Sequence, residues 1–353
     1  MVFKENEIIW DRLKKINKPI VMYGMGNGAD KILKQCKLYG IEIADIFASD
    51  EFVRGHIFAG KQVLRFSDIE DKYNDCIILL AFAAFRPDLM ARIKHINEKF
   101  EVLAPDVPLF GDSIFTVERR NELLPKIEKL FNLLADDISK NVFINILEYK
   151  ISGKIKYLLD CESSRAEVFS NIIQLCEKDV YLDLGAYDGD TVKEFVSQTN
   201  GKYEKIIAVE PDAKNYKKLV SYVEGEGLHN ADCKNLAVWN FNGKVTFGKK
   251  GGRNSSIEEN GIEIECKTID SMLDNQRVSY IKMDVESAEC QALEGAVNTL
   301  QNYHPALAIS AYHFSEDFIE IPLLVHSICP QYKLYLRHHP YIPAWETNLY
   351  AVI

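Results

Sequence analysis

Short apolar runs alternate with amphipathic stretches along most of the chain. In residues 1–112, Pro19–Tyr23 predicts a strand, and Ile32, Leu33, Cys36 and Leu38 give Lys31–Tyr39 a helical spacing. Glu42–Phe47, Cys76–Ala81 and Val102–Pro105 predict further strands. In residues 113–178, Leu123, Leu124, Ile127, Leu130, Phe131 and Leu134 recur at steps of three and four, the pattern of a packed helical connector. Alternation resumes over 179–353, with strands predicted at Val180–Leu184, Lys205–Val209, Cys233–Val238, Tyr280–Val285, Ala306–Ser310, Lys333–Leu336 and Asn348–Ile353. Between Phe241 and Ile269, short alternating runs broken by Gly and Asn predict inserted β-hairpins. A loop rather than a helix joins the last two strands, which allows an antiparallel hairpin at the sheet edge. Strands that alternate with helices imply parallel sheets with right-handed crossovers.

The bulk properties narrow the partners. At 353 residues the chain suits two domains. A formal net charge of −10 argues against general nucleic-acid binding, which draws on phosphate neutralisation. Lys249, Lys250 and Arg253 form one short basic stretch that reads as a solvated loop. The eight cysteines are scattered without a C-x-x-C pair, as expected for reduced thiols in the cytoplasm. The start, MVFKENEIIW, lacks the apolar core of a signal peptide, and no apolar run is long enough for membrane insertion.

Two glycine-rich turns compete for a nucleotide-like ligand. In "VMYGMGNGAD", Gly24, Gly26 and Ala29 fit G-x-G-x-x-G/A, and Asp50 or Glu51 follows the second strand. That supports a nucleotide- or NAD-binding protein led by the N-terminal domain as the alternative reading. The later strands there carry no supporting chemistry, so the glycines read first as a tight strand-to-helix connection. In "YLDLGAYDGDT", Asp183 sits near a strand end and Gly185 permits close backbone approach. Thr191 with Glu194 predicts a capping box. Glu210 ends the next strand, where an acid accepts from a ribose diol, Pro211 stops the ladder, and Asp212 caps the following helix. Asp183, Asp188 and Asp190 together suit a cationic adenosine ligand better than a phosphate, which points to S-adenosylmethionine.

Four blocks, "YLDLGAYDGDT", "IIAVEPD", "IKMDVESAECQALEGA" and "YLRHHPYIPAWETNLYAVI", resemble the FkbM family of S-adenosylmethionine-dependent methyltransferases over roughly 141–353. The third block departs once from the family pattern, with Ser287 where glycine is usual. The resemblance implies an α/β fold. Its C-terminal domain, 179–353, is a seven-stranded Rossmann-like methyltransferase sheet with the last strand antiparallel and an inserted β-hairpin region. A smaller N-terminal Rossmann-like accessory domain, 1–112, is joined to it by the helical connector, 113–178. The implied activity is O-methylation of a hydroxyl on a sugar, polysaccharide or related natural product. Asp183 and Gly185 would contact the methionine part, Glu210 the ribose, and the loop around Ala237 would flank the adenine. Ala186, Tyr187, Asp188, Thr191, Pro211 and Asp284 complete the expected cofactor-binding set. The expected partners are a small-molecule or glycan acceptor and a second copy of the chain through the N-terminal domain.

The residues of the third block add their own chemistry. Asp284 and Glu286 end a strand on one face, placed to orient an acceptor hydroxyl or take its proton. His313 ends another strand and is the base better matched to neutral pH. These three form the expected catalytic set. Asp284 with Glu286 or Glu289 would also suit a divalent metal, which is not expected. His338, His339, Tyr312, Tyr341 and Trp345 are candidates for the acceptor pocket or for packing.

Overall fold

The computed structural model describes residues 2–53, 55–111, 113–248 and 261–353. The basic stretch of Lys249, Lys250 and Arg253 lies outside the described residues. The chain divides into two compact units. One comprises residues 1–128, 140–163 and 338–346, the other 129–139, 164–337 and 347–353.

The first unit holds a six-stranded sheet. Its strands are β1 Ile20–Tyr23, β2 Asp45–Phe47, β3 Ile57–Phe58, β4 Lys61–Leu64, β5 Ile77–Leu80 and β6 Glu101–Leu103, in the order β3-β4-β2-β1-β5-β6. All contacts are parallel except the β3–β4 hairpin. Every residue of β1 and β5 is buried, as expected of central parallel strands covered on both faces. The sequence pattern missed the hairpin because β3 has only two residues. Its turn, Ala59 and Gly60, has φ of +48° and +77°, matching the twist of a two-residue hairpin.

The second unit carries β7 Val180–Leu184, β8 Lys205–Val209, β9 Ala231–Lys234, β10 Ala237–Val238, β11 Gly243–Gly248, β12 Gly261–Lys267, β13 Tyr280–Met283, β14 Ala306–Ser310, β15 Lys333–His338 and β16 Thr347–Val352. Seven of them form one sheet in the order β15-β16-β14-β13-β7-β8-β9. β16 is inserted antiparallel to β14, and β13, β7, β8 and β9 run parallel. β10, β12 and β11 make a separate three-stranded sheet, in which β11 and β12 are antiparallel. The apolar run Cys233–Val238, expected as one strand, is therefore split between two sheets at Asn235 and Leu236.

Tyr181, Phe195 and Tyr280 stack in the core beneath the first turn of this unit, with Tyr181–Phe195 centroids 4.3 Å apart. Arg337, 1% exposed, is held by Asp136, Glu167 and the Ser139 hydroxyl. No helix among the described residues is long and apolar enough to cross a membrane.

Candidate active site

The carboxyl ends of β7, β8, β13 and β14 gather most of the residues singled out in the sequence. Asp183 is fully buried in β7. Its Oδ2 accepts a 2.5 Å hydrogen bond from the Thr191 hydroxyl, while Oδ1 has no aligned hydrogen bond. Burial pushes its carboxyl up to about 6, against the pull of the Lys282 ammonium and the Thr191 hydroxyl. The expected capping box is not formed. The helix begins at Asp190 behind Gly189, so Thr191 sits inside it and turns its hydroxyl to Asp183, while Glu194 pairs with Arg165 at 3.1 Å.

Gly185 has φ +80°, and a Cβ built there would stand 1.9 Å from the Asp284 carbonyl oxygen. Its first requirement is thus the close crossing of two backbones. The amides of Gly185 and Ala186 both donate to the Val209 carbonyl, at 2.9 and 3.0 Å. Ala186 is buried, and Tyr187 and Asp188 are half-buried.

Tyr187, at φ +48°, donates its amide to Glu210 Oε2 at 2.9 Å, and Asp212 donates to Oε1 at 2.8 Å. Glu210 is 5% exposed, and burial raises its carboxyl to about 7 despite these bonds. Half-buried Pro211 follows, and Asp212 caps the next helix through the amides of Lys214 and Asn215. Asn235, not singled out in the sequence, donates its side-chain amide to the carbonyls of Glu210 and Pro211. It fixes the approach to buried Ala237 on β10.

The third block gathers around His313, which is 1% exposed. Its Nδ1 lies 3.0 Å from Glu289 Oε1, in the geometry of an ion pair rather than an aligned hydrogen bond. Its Nε2 lies 3.4 Å from Asp284 Oδ1 and 3.5 Å from Glu286 Oε2. Burial lowers the imidazole pKa, but Glu289, Asp284 and Glu286 outweigh it and hold the group up at about 10. These carboxylates favour the imidazolium form, which weighs against His313 acting as the base at neutral pH. Burial raises Asp284, yet Lys282 and His313 bring it below the ordinary value, whereas burial drives Glu286 up to about 8.

β13 ends at Met283, so Asp284 and Glu286 do not alternate on one strand face. Glu286 and Ser287 take φ of +50° and +82°, and this turn, rather than strand pleat, brings Glu286 to the imidazole. Lys282, 3.6 Å from Asp284 Oδ2 and in register with Asp183, is the site cation that the sequence reading missed. Its signal was its spacing, two residues before Asp284 on the strand. Since Ser287 occupies a backbone conformation that favours glycine, Ser287→Gly is expected to raise stability by up to about 1 kcal/mol in urea unfolding, after glycine's entropy cost.

Other candidates fall elsewhere. His338 and His339 are buried rather than surface loop residues: Nε2 of His338 meets the Tyr341 carbonyl at 3.1 Å, and Nδ1 of His339 the Ser163 carbonyl at 2.8 Å. Burial and His339 keep His338 neutral, with its pKa down at about 3. Tyr341 stacks on Phe85 at 5.5 Å and lies 6.2 Å from Trp345, while Tyr312 packs on His313 at 4.5 Å. In the first glycine-rich turn, a Cβ on Gly24 would meet the Phe82 ring at 2.5 Å, and one on Gly28 the Ala81 carbonyl at 2.4 Å. Gly24 and Gly28 thus meet packing needs, whereas Gly26, at φ +123°, has no atom within 4 Å of a built Cβ, and Asp50 and Glu51 lie exposed on a short 3-10 turn.

Residues 183–343 match the family model described as the methyltransferase FkbM domain. A crystal structure of methyltransferase FkbM from Methylobacillus flagellatus KT aligns with a TM-score of 0.73 at 20% identity, covering 95% of this chain and 90% of that one. A precorrin-6y C5,15-methyltransferase from Geobacter metallireducens GS-15 aligns with a TM-score of 0.35 at 10% identity, covering 54% of this chain and 86% of that one. Fibrillarin from Aeropyrum pernix, solved with bound S-adenosyl-L-methionine, aligns with a TM-score of 0.33 at 13% identity, covering 53% and 73%. No curated protein matches the chain. Residues 183–343 thus match the model of a methyltransferase FkbM domain, and the chain shares the fold of a methyltransferase FkbM.

Proposed function

We propose that the chain binds S-adenosylmethionine at the ends of β7 and β8 and is an O-methyltransferase for a hydroxyl on a sugar, polysaccharide or related natural product. The observation that carries the cofactor reading is Asp183. Its Oδ1 is a buried acceptor without an aligned hydrogen bond, the carboxylate having beyond Thr191 only a weak contact with Tyr181, beside the Gly185 turn and one strand from Glu210. A buried carboxylate oxygen left without an aligned donor is costly, and a cationic ligand group offsets that cost. Glu210 uses one acceptor direction on each oxygen for backbone amides, which leaves each oxygen able to accept from a ribose hydroxyl. When bound, the cofactor supplies an electrophilic methyl group on a sulfonium.

The rest of the chemistry belongs to side chains. Methyl transfer is a direct displacement, so alignment of the acceptor oxygen contributes much of the rate. Asp284 is the group to hold that hydroxyl and take up its proton, because His313 and Glu286 are both biased toward their protonated forms at neutral pH. The likeness of the four sequence blocks to the FkbM family supports both oxygen as the methylated atom and the acceptor class.

Calorimetry with S-adenosylhomocysteine tests the cofactor reading, and no heat of binding at millimolar ligand would sink it. Glu210→Ala is expected to weaken that binding by about 1–3 kcal/mol, the scale of lost hydrogen bonds to a buried charged group. Incubation of labelled S-adenosylmethionine with nucleotide sugars and polysaccharides tests the acceptor class. Label on a base-stable ether supports oxygen, and label recovered only on nitrogen or carbon counts against it.

A further inference from the structure

We propose that Lys282 is a positioning residue for Asp284: its ammonium fixes one oxygen of that carboxylate and balances its charge, so that Asp284 meets the acceptor hydroxyl as a carboxylate. The use of Asp284 there rests on the methyl-transfer reading; the pairing itself does not.

Lys282 is an unusual residue for its place in the fold. β13 is a central strand between β7 and β14, and Ile281 and Met283, on either side of Lys282, are buried. A lysine in such a strand is costly unless its charge is paired. Its register partners are Ala308 on β14 and Asp183 on β7, which share its face of the sheet. The lysine chain runs on along the strand, and Nζ stands 3.6 Å from Asp284 Oδ2.

The other oxygen of Asp284, Oδ1, lies 3.4 Å from His313 Nε2, with the Ser310 hydroxyl also beside the carboxylate. Each oxygen thus faces one cation, which fixes the plane of the group. An oxygen of a carboxylate has two acceptor directions, so a substrate hydroxyl still finds a place.

The two cations are not equivalent. The imidazole is shared among three carboxylates, with Glu289 at 3.0 Å, Asp284 at 3.4 Å and Glu286 at 3.5 Å. Glu286 and Glu289, on the turn and the helix that follow β13, add negative charge that favours a proton on their neighbours. Burial raises Asp284 as well, and Lys282 is the stronger of the two pulls that bring it back down, ahead of His313. Lys282 also pulls on Asp183, but full burial outweighs it there. Lys282 is therefore the charge that lets Asp284 stay ionised among three crowded carboxylates while Glu286 gives way.

Carbon-13 NMR of the full-length protein, labelled at its aspartate carboxyls and free of cofactor and acceptor, tests this. The Asp284 signal is assigned by its loss in Asp284→Asn. In the wild type it is expected to stay in its ionised position down to about pH 4. Lys282→Met should bring its midpoint to about pH 5 or higher, at least a tenfold gain in proton affinity, and Lys282→Arg should restore the wild-type behaviour. Circular dichroism confirms that each variant is folded, and Lys282→Gln replaces the methionine variant if that one is not. A wild-type midpoint above about pH 4, a midpoint below about pH 5 in Lys282→Met, or one that stays raised in Lys282→Arg would overturn the proposal. Calorimetry with S-adenosylhomocysteine reads the cofactor site separately, so failure of the methyl-transfer reading leaves this titration standing.

Discussion

Gly185→Ala is expected to remove about 3–5 kcal/mol of folding stability, or to prevent folded protein from accumulating, and to abolish binding of S-adenosylhomocysteine. The added Cβ would stand 1.9 Å from the Asp284 oxygen and 2.9 Å from its carbonyl carbon. Neither backbone is free to give way. The Gly185 amide is bonded to Val209 at 2.9 Å, and the Asp284 amide to Leu184 at 2.9 Å. The φ of +80° adds strain for any L residue. Gly201→Ala is the control: its φ is +74°, but no atom lies within 4 Å of a built Cβ. It should cost only the conformational term, about 1–2 kcal/mol. Urea unfolding of both variants separates the effects. Equal losses at the two positions would refute the steric account.

That crossing marks a limit of sequence reading. The order of β7, β8, β13 and β14 was legible because buried parallel strands are continuous apolar runs, and their terminal acids interrupt those runs visibly. Gly185 was legible as a special position, but the backbone it accommodates lies about a hundred residues away and leaves no local mark. The surroundings of His313 were hidden for the same reason. A histidine at a strand end carries an ordinary pKa in sequence, and only folding sets three carboxylates around it. Glu289 read only as an alternative metal partner for Asp284, yet it is 2% exposed and meets the imidazole. Glu286 reaches the site through two residues at positive φ, which the strand period does not describe. Lys282 was hidden as one charge in an apolar strand, and its meaning came from the register that sets it beside Asp183.

Asp183→Asn is expected to stabilise the ligand-free protein at pH 8 while it weakens ligand binding. The Asp183 carboxyl is raised from 3.8 to about 6 by burial, so the folded state holds its proton more tightly than the unfolded chain does. Its contribution to stability is therefore fully present below about pH 4 and is lost as pH rises to about 6. A shift of that size corresponds to about 3 kcal/mol, and full burial calls for no discount for screening. The wild type titrates through this step, and the variant should lack it alone. Glu210 and Glu286, raised to about 7 and about 8, keep their own declines of the same sign. Thermal unfolding from pH 4 to 8 reads the difference. A variant that is less stable than wild type at pH 8, with an unchanged pH profile, would overturn the argument. A cationic ligand group reverses the sign by favouring the carboxylate, so S-adenosylmethionine should stabilise the wild type more at pH 8 than at pH 5 and the variant about equally at both. A residue that costs the empty fold at neutral pH is then the one placed to meet the ligand, a trade between stability and binding that a buried functional acid makes unavoidable.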